Sequence, residues 1–468
     1  MTDYKKLYQE RKTRVETAVA GGQPDRVPNV LLVGTYPIHK AGMTMAESMV
    51  DHEKACQAML SFYETHSCTD TASISNFMPA AKTLENLDVK TARWPGDPKG
   101  LDVNNTYQFI EFPTLEAEEY EEFFRDPAGF WISKHLPRTI GLFEPLAKMD
   151  FYELILGAQR FLTDPSAIPV YQRLLAAAEE NQRMNQIIGR YDQKLKDLGY
   201  YSIMGGGSAT AFDMLGDTLR GTFGMMPDLI EERDNVKRAL EIFVKLHLKD
   251  SLEFCRATGS RYAWVMLHKG FDNFISDTDY RELYWPYLQQ WILGLIEHDI
   301  TPVVYTEGAY NTRLKYLKDV PEHKVIYHFE EVDLKLAKKE LGDTACLMGG
   351  FPVYTVSYGT PEQIEEKVKE LLDGSAIDEG RIAAEVVIYA DKICVDEETV
   401  RLTSHIDSTR KELMQGESVG RKLDFIAQEM NREANTILSK SSDPAISDQA
   451  IALKTEIEKI REQIQNIE

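Results

Sequence analysis

Cysteine is scarce: Cys56, Cys68, Cys255, Cys346 and Cys394 are the only five in 468 residues, and no two form a C-x-x-C pair. An odd, scattered set makes neither a disulfide framework nor a paired metal knuckle and reads as reduced thiol, so a cytoplasmic protein is expected. The opening MTDYKKLYQERKTRVETAVAG reads as a charged amphipathic helix rather than the apolar core of a signal peptide. Long apolar runs are also missing, and none approaches the roughly 18 residues a membrane-spanning helix needs. Basic residues are outnumbered, 53 against 75 acidic ones, for a formal net charge of −22. A field of that sign repels nucleic acid and anionic membranes unless basic side chains gather locally. Together these shortages set aside a secreted protein, a membrane protein, a small disulfide scaffold and a dedicated DNA binder. With 43% hydrophobic and 10% aromatic residues, the chain has the composition of a globular protein with a sizeable core.

Other shortages are local. Of the 46 Phe, Tyr and Trp residues only Tyr389 and Phe425 lie beyond about residue 375; no glycine follows Gly420, and Pro444 is the one proline. Such a segment predicts helix throughout. Asp396, Glu397 and Glu398 open one helix carrying Leu402 and Ile406, and Ser441-Ser442-Asp443-Pro444 opens another. In the latter, Ile446, Ala450, Leu453, Ile457, Ile460, Ile464 and Ile467 alternate spacings of 4 and 3, an a/d seam that needs a partner helix and points to a homo-oligomer.

Before residue 375 short β-branched runs alternate with amphipathic ones. The runs are VPNVLLVG (27–34), TASIS (71–75), YSIMGGG (201–207), RYAWVML (261–267), ITPVVYTEG (300–308), KVIYHFE (324–330) and ACLMGG (345–350). Strand then helix, repeated, predicts a parallel sheet buried on both faces, and this many units favour a TIM (β/α)8-type barrel. Seven strands are countable, so the barrel lacks its usual eighth unit unless EVVIYA (385–390) supplies it. The expected organisation is an α/β barrel over 1–375, with an insertion at about 80–195, followed by an all-α domain over 376–468 ending in a coiled-coil-like helix.

Barrel chemistry sits where strands end. Glu307 closes one strand, with Tyr310 and Arg313 just beyond; His328 lies in the next, followed by Asp333; His268, Lys269 and Asp272 follow RYAWVML; Arg26 and His39 flank the first run. Glu307, His328, Asp333 and Asp272 are the catalytic candidates, and Arg26, His39, Tyr310 and Arg313 the substrate contacts. A carboxylate and a histidine at one mouth suit proton transfer or a divalent metal held by Glu307 and His328. The simpler readings are that Asp25 and Arg26 pair at the barrel bottom, His268 and Lys269 form a solvated turn, and Trp285 and Trp291 pack the wall. Gly205, Gly206 and Gly207 either cradle an anion or let elements pack closely.

The order PDRVP, RWPG, YQFIEF, EEFFRDP, LPR, YWPYL, ITPVVYTEGAYNTRL, LMGGFP and YGTPEQIEEKVKELLDG, over about residues 20–375, resembles the uroporphyrinogen decarboxylase superfamily, in particular its divergent methyltransferase-like branch. The resemblance implies a TIM barrel, a tetrapyrrole or methyl-corrinoid substrate, and a corrinoid protein as partner. Decarboxylases of the family carry arginines after the first strand and an aspartate after the second, where this chain has GTYPIHKAG and Ser75-Asn76; methyl transfer is therefore the leading expectation and tetrapyrrole decarboxylation the alternative. The family's zinc methyltransferases carry His-x-Cys where Tyr305, Thr306 and Glu307 stand, so zinc here would need oxygen and nitrogen ligands.

From Asp378 onward EGRIAAEVVIYADK, EETVRLTSHIDSTRKEL and VGRKLDFIAQEMNREANTILSKSSD resemble the C-terminal domain of the YicC family of endoribonucleases. The resemblance implies RNA as a partner and Mg²⁺ or Mn²⁺ as cofactor. Arg421, Lys422, Asp424, Glu429, Arg432, Glu433 and Lys440 are the candidates, acidic groups for the ion and basic ones for phosphate; helix-surface salt bridges are the plainer reading. A metal-dependent endoribonuclease and a non-catalytic scaffold or chimera complete the alternatives.

Overall fold

The computed structural model describes residues 3–74, 79–98, 101–148, 164–351, 355, 359–371, 396–415, 420, 423–424, 426–431, 434 and 444–464. The chain divides into two compact units, Met1–Gly350 and Phe351–Glu468. The composition break near 375 and this division bracket the helix Pro361–Leu371, which goes with the second unit.

In the first unit a short antiparallel pair, β1 (Ala92–Arg93) and β2 (Gln108–Phe109), precedes a sheet of five strands: β3 (Gly207–Ala209), β4 (Tyr262–Leu267), β5 (Thr301–Ala309), β6 (Ile326–Glu331) and β7 (Cys346–Gly349). They lie side by side in chain order and every neighbouring pair is parallel. Successive side chains point to opposite faces. Tyr262, Trp264, Val303 and Ile326 pack with Val15, Tyr201 and Ile203 on one face. Ala263, Val265, Leu267, Val304, Tyr327 and Phe329 join Leu240, Phe243, Leu288, Trp291 and Ile292 of the helices Arg233–Thr258 and Trp285–Ile296 on the other. Burial on both faces is what parallel strand–helix crossovers produce, and it explains why these runs are apolar without alternation.

The four later runs are strands as expected. The earlier ones contribute less regular pairing among the described residues: Thr71 makes a single parallel bridge to Tyr201, and 27–33 forms no ladder, although Asp70 N–H donates to Asn29 O at 2.8 Å and Ala72 N–H to Tyr201 O at 3.0 Å. The described residues therefore show a parallel sheet of five strands, not a closed eight-stranded barrel. EVVIYA lies outside them. The glycine run also finds its reason. A Cβ at Gly205 would stand 1.8 Å from Tyr262 O, and one at Gly206 would stand 2.5 Å from the Phe254 ring, so the run lets the chain lie against its neighbours. NTRLKYLKDV yields only one helical turn, Leu314–Leu317, ending short of Pro321.

The irregular region at 80–195 is organised by the 30-residue helix Ile168–Asp197. It is tied to the helix His52–Thr65 by Tyr191 Oη to Glu53 at 2.9 Å and Glu180 to His52 at 3.2 Å. In the second unit, Leu402, Leu423, Ile426, Ala427, Met430, Ala434, Ile457 and Ile464 form a small core between the helices Asp396–Gln415 and Pro444–Ile464 and the segment between them. Pro444 starts its helix as the sequence predicts. Leu453, Ile457 and Ile464 use the expected seam within the chain, while Ile460 stays 41% exposed. No helix among the described residues is long and apolar enough to cross a membrane.

Candidate functional site

At the carboxyl end of β4 the chain turns at His268 and Lys269, and the segment 210–219 lies against that turn. Thr210 caps the segment through the Asp213 N–H, and the helix then widens into a π-helical stretch, Met214–Leu219, that carries Asp217. Such widened turns are frequent at functional sites. His268 Nδ1 lies 2.6 Å from Asp217 Oδ2, and Lys269 Nζ lies 2.7 Å from Asp217 Oδ1. One carboxylate thus holds two cationic groups. Lys269 also donates to Thr222 Oγ1 at 2.8 Å and lies 3.5 Å from Glu111. On its other ring nitrogen, His268 Nε2 faces Glu307 Oε1 at 3.9 Å. Glu307 lies within β5, and Glu330 of β6 receives the Gly308 N–H at 2.6 Å beside it.

Beneath the turn Asp213 is fully buried. It accepts from His268 N–H at 3.1 Å, Lys269 N–H at 2.9 Å, Tyr284 Oη at 2.7 Å and Thr210 Oγ1 at 2.9 Å.

The electrostatics follow from these contacts. The hydrogen bond that His268 donates to Asp217 lifts the ring to about 9 against the opposing effect of burial, so it is an imidazolium at neutral pH. Burial works to raise Asp217, but the bonds from His268 and Lys269 outweigh it and hold the carboxyl below its usual range. Glu307 is raised by burial, with Glu330, Asp213 and Asp217 adding to the rise and His268 opposing it. The result is a carboxylate–imidazolium–carboxylate row whose outer carboxyl, 41% exposed at the side chain, has an affinity for protons moved toward neutrality.

The residues singled out in the sequence separate in the fold. Glu307 stands at this mouth. His328 lies on the sheet between Trp264 and Tyr305, its ring pushed down to about 4 by burial and its Nδ1 without a partner. The other candidates are occupied elsewhere. Asp272 caps the turn at Thr312, accepting from its N–H at 3.1 Å and its hydroxyl at 2.7 Å, and Asp333 caps the helix Leu334–Leu341. Arg313 is 1% exposed and its guanidinium donates to the carbonyls of Gly270, Phe271, Asp272 and Ile275. The Tyr310 hydroxyl is sealed in the core, out of reach of a substrate. Arg26 pairs with Asp70, which also binds Arg14, so its role is structural. His39 is half-buried on the short helix Tyr36–Lys40. His268 and Lys269, read from sequence as a solvated turn, are instead ion-paired, with Lys269 buried and His268 half-buried, because their partners Asp213 and Asp217 come from some 50 residues earlier. The D-x-x-x-D spacing at 213 and 217, before a strand that His-Lys directly follows, is the signal that could have found them.

No group of three or more His, Cys, Asp or Glu side chains among the described residues is placed to hold a metal ion. Glu307 and His328 alone do not fit a zinc site. In the second unit Asp424 pairs with Arg461 at 3.1 Å and Glu429 is half-buried, whereas Arg421, Lys422, Arg432, Glu433 and Lys440 lie outside the described side chains.

Comparison with known proteins gives two families. Residues 172–384 match the model for uroporphyrinogen decarboxylase (URO-D), and residues 354–468 match that for the endoribonuclease YicC-like C-terminal domain. A Clostridioides difficile protein described as a probable endoribonuclease YicC is 55% identical over 108 residues, 23% of this chain and 37% of that protein. A Haemophilus influenzae protein of the same description is 48% identical over 92 residues, 20% of this chain and 32% of that one. The uroporphyrinogen decarboxylase of Chlorobaculum parvum is 30% identical over 109 residues, 23% of this chain and 30% of that protein. The chain thus spans about a third of the length of these relatives. Among solved structures, a methyltransferase from Methanosarcina mazei aligns over 82% of this chain and 98% of its own at 15% identity, with a TM-score of 0.49.

Proposed function

We propose that the first unit transfers a methyl group from a methylated corrinoid, a tetrapyrrole substrate, to a small acceptor carrying an X–H bond. The observation that carries this reading is the row Asp217–His268–Glu307 at the ends of the parallel strands, inside the segment that matches the URO-D model. The carbon–cobalt bond breaks with both electrons left on the corrinoid, the methyl carbon bonds to X, and the proton of X–H goes to Glu307. A carboxylate whose proton affinity burial has raised is better suited to that task than an exposed one, because general-base efficiency grows as the base's affinity approaches the working pH. His268, kept cationic by Asp217, faces Glu307 and opposes the rise that burial imposes on it. Mixing the protein with methylcob(III)alamin and a thiol is expected to convert the methyl-cobalt spectrum with production of methyl thioether; an unchanged spectrum at saturating protein counts against the reading.

For the second unit, we propose contact with structured RNA. The support is 55% identity over 108 residues to a relative described as a probable endoribonuclease. The expected outcome is Mg²⁺- or Mn²⁺-dependent cutting that Glu429→Gln weakens at least tenfold; cutting at wild-type rate in the variant removes Glu429 from that role.

A further inference from the structure

We infer that Asp213, a residue the sequence did not single out, is the positioning residue of the mouth, fixing where His268 stands between Asp217 and Glu307; the inference rests on the reading of that row as the proton-handling site. The geometry carries it. The Asp213 carboxylate is fully buried, and each oxygen holds one backbone N–H of the turn: Oδ2 takes His268 at 3.1 Å and Oδ1 takes Lys269 at 2.9 Å. The two residues whose side chains share Asp217 are thus pinned by their main chain to a second carboxylate four positions earlier in the same segment. A carboxylate is required here for a stereochemical reason. Two N–H donors and two hydroxyls converge on it, and an asparagine in its place would present an NH₂ donor to one of those N–H groups. Fixing a turn through its main chain also sets side-chain direction to within the fraction of an ångström that proton transfer demands.

Nothing about Asp213 suggests contact with substrate. Tyr284 and Thr210 close its remaining sides with hydroxyls at 2.7 and 2.9 Å, and Tyr284 is itself 1% exposed. Its hydrogen bonds reach the mouth only through His268 and Lys269, and its charge adds to the rise of Glu307. The charged groups facing His268 are Asp213 and Asp217 from the segment 210–219, Glu307 from β5, and Lys269 across Asp217. Removing one negative charge from this set lowers the proton affinity of the ring, and misplacing the turn lengthens the 2.6 Å contact with Asp217, which lowers it further.

The test is an NMR titration of His268 in the full chain. In Asp213→Asn its midpoint falls by about one pH unit or more relative to wild type, and kcat of methyl transfer falls at least tenfold with KM unchanged. Burial raises Asp213 and the Tyr284 hydrogen bond opposes that rise, so Tyr284→Phe, which keeps the carboxyl group and removes this donor, favours its neutral form and moves the midpoint in the same direction by less; it stands in for Asp213→Asn should that variant not fold. A His268 midpoint unmoved in both folded variants, or in Tyr284→Phe alone where the other does not fold, overturns the inference. The titration needs no turnover, so a protein that fails to transfer methyl groups yet shows the shift refutes the proposed reaction and not the role of Asp213.

Discussion

Replacing His268 by asparagine lowers kcat of methyl transfer by about 100- to 10,000-fold, the range over which a positioned acid–base group contributes. The expectation rests on the place of His268 between two carboxylates: Nδ1 is 2.6 Å from Asp217 and Nε2 is 3.9 Å from Glu307. Asparagine fills the space and keeps the backbone bond to Asp213 but removes the cation. Glu307 then stands near Glu330, Asp213 and Asp217 without its nearest positive neighbour, and its raised proton affinity rises further. A carboxylate that holds its own proton more tightly is less often free to take the acceptor's. The pH profile follows with a definite sign. His268 is raised from 6.5 to about 9, so the stability it contributes is fully present below 6.5 and is lost as the pH rises through about 9. Asp217 is held below 3.8, so its contribution is present above 3.8 and is lost as the pH falls below that value. Between these limits the pair is intact, and wild-type activity declines above about pH 9, whereas the residual rate of His268→Asn lacks that alkaline limb. A variant with wild-type kcat removes His268 from the mechanism.

The second large effect falls on stability. Asp70→Ala destabilises the first unit by about 3–5 kcal/mol, the cost of stranding the partners of a buried ion pair. Asp70 is fully buried; its carboxylate binds Arg14 at 2.7 Å, Arg26 at 2.5 and 2.6 Å, and the Asn29 N–H at 2.7 Å. Arg14, with a side chain 9% exposed, keeps only Asp25 when Asp70 is removed. The network joins the first helix, Tyr4–Val19, to the residues before 27–33 and to the chain at 70, so its loss loosens three segments together. All five tryptophans, Trp94, Trp131, Trp264, Trp285 and Trp291, precede residue 351, so urea unfolding followed by tryptophan fluorescence reports the first unit alone. A midpoint within error of wild type contradicts this account of Asp70 and Arg26.

What was legible in the sequence divides along a physical line. β4 to β7 and the helices Asp396–Gln415 and Pro444–Ile464 were readable because local signals set them: β-branched runs between turns, acidic first turns, a proline start. Glu307 was readable for the same reason, a carboxylate at the end of an apolar run. The pairing of His268 and Lys269 was not, since it depends on Asp213 and Asp217 across a 26-residue helix, and the D-x-x-x-D spacing of those two is the one local trace of that approach. Arg313 failed in the opposite sense. A lone arginine after a strand looks like an anion contact, yet the turn 270–275 presents four carbonyl oxygens to it, and buried carbonyls need donors as much as substrates do. The seam of the last helix was read correctly as apolar, but Ile457 and Ile464 find their partners within the same chain.

The central claim, that Glu307 takes the acceptor's proton during methyl transfer from a corrinoid, is tested most directly by single-turnover spectroscopy of methylcob(III)alamin with a thiol, wild type beside Glu307→Gln. Wild type converts the methyl-cobalt spectrum, and Glu307→Gln, which keeps the shape and loses the base, does so at least about 100-fold more slowly. Equal rates in the two proteins, or no conversion in either, contradict it.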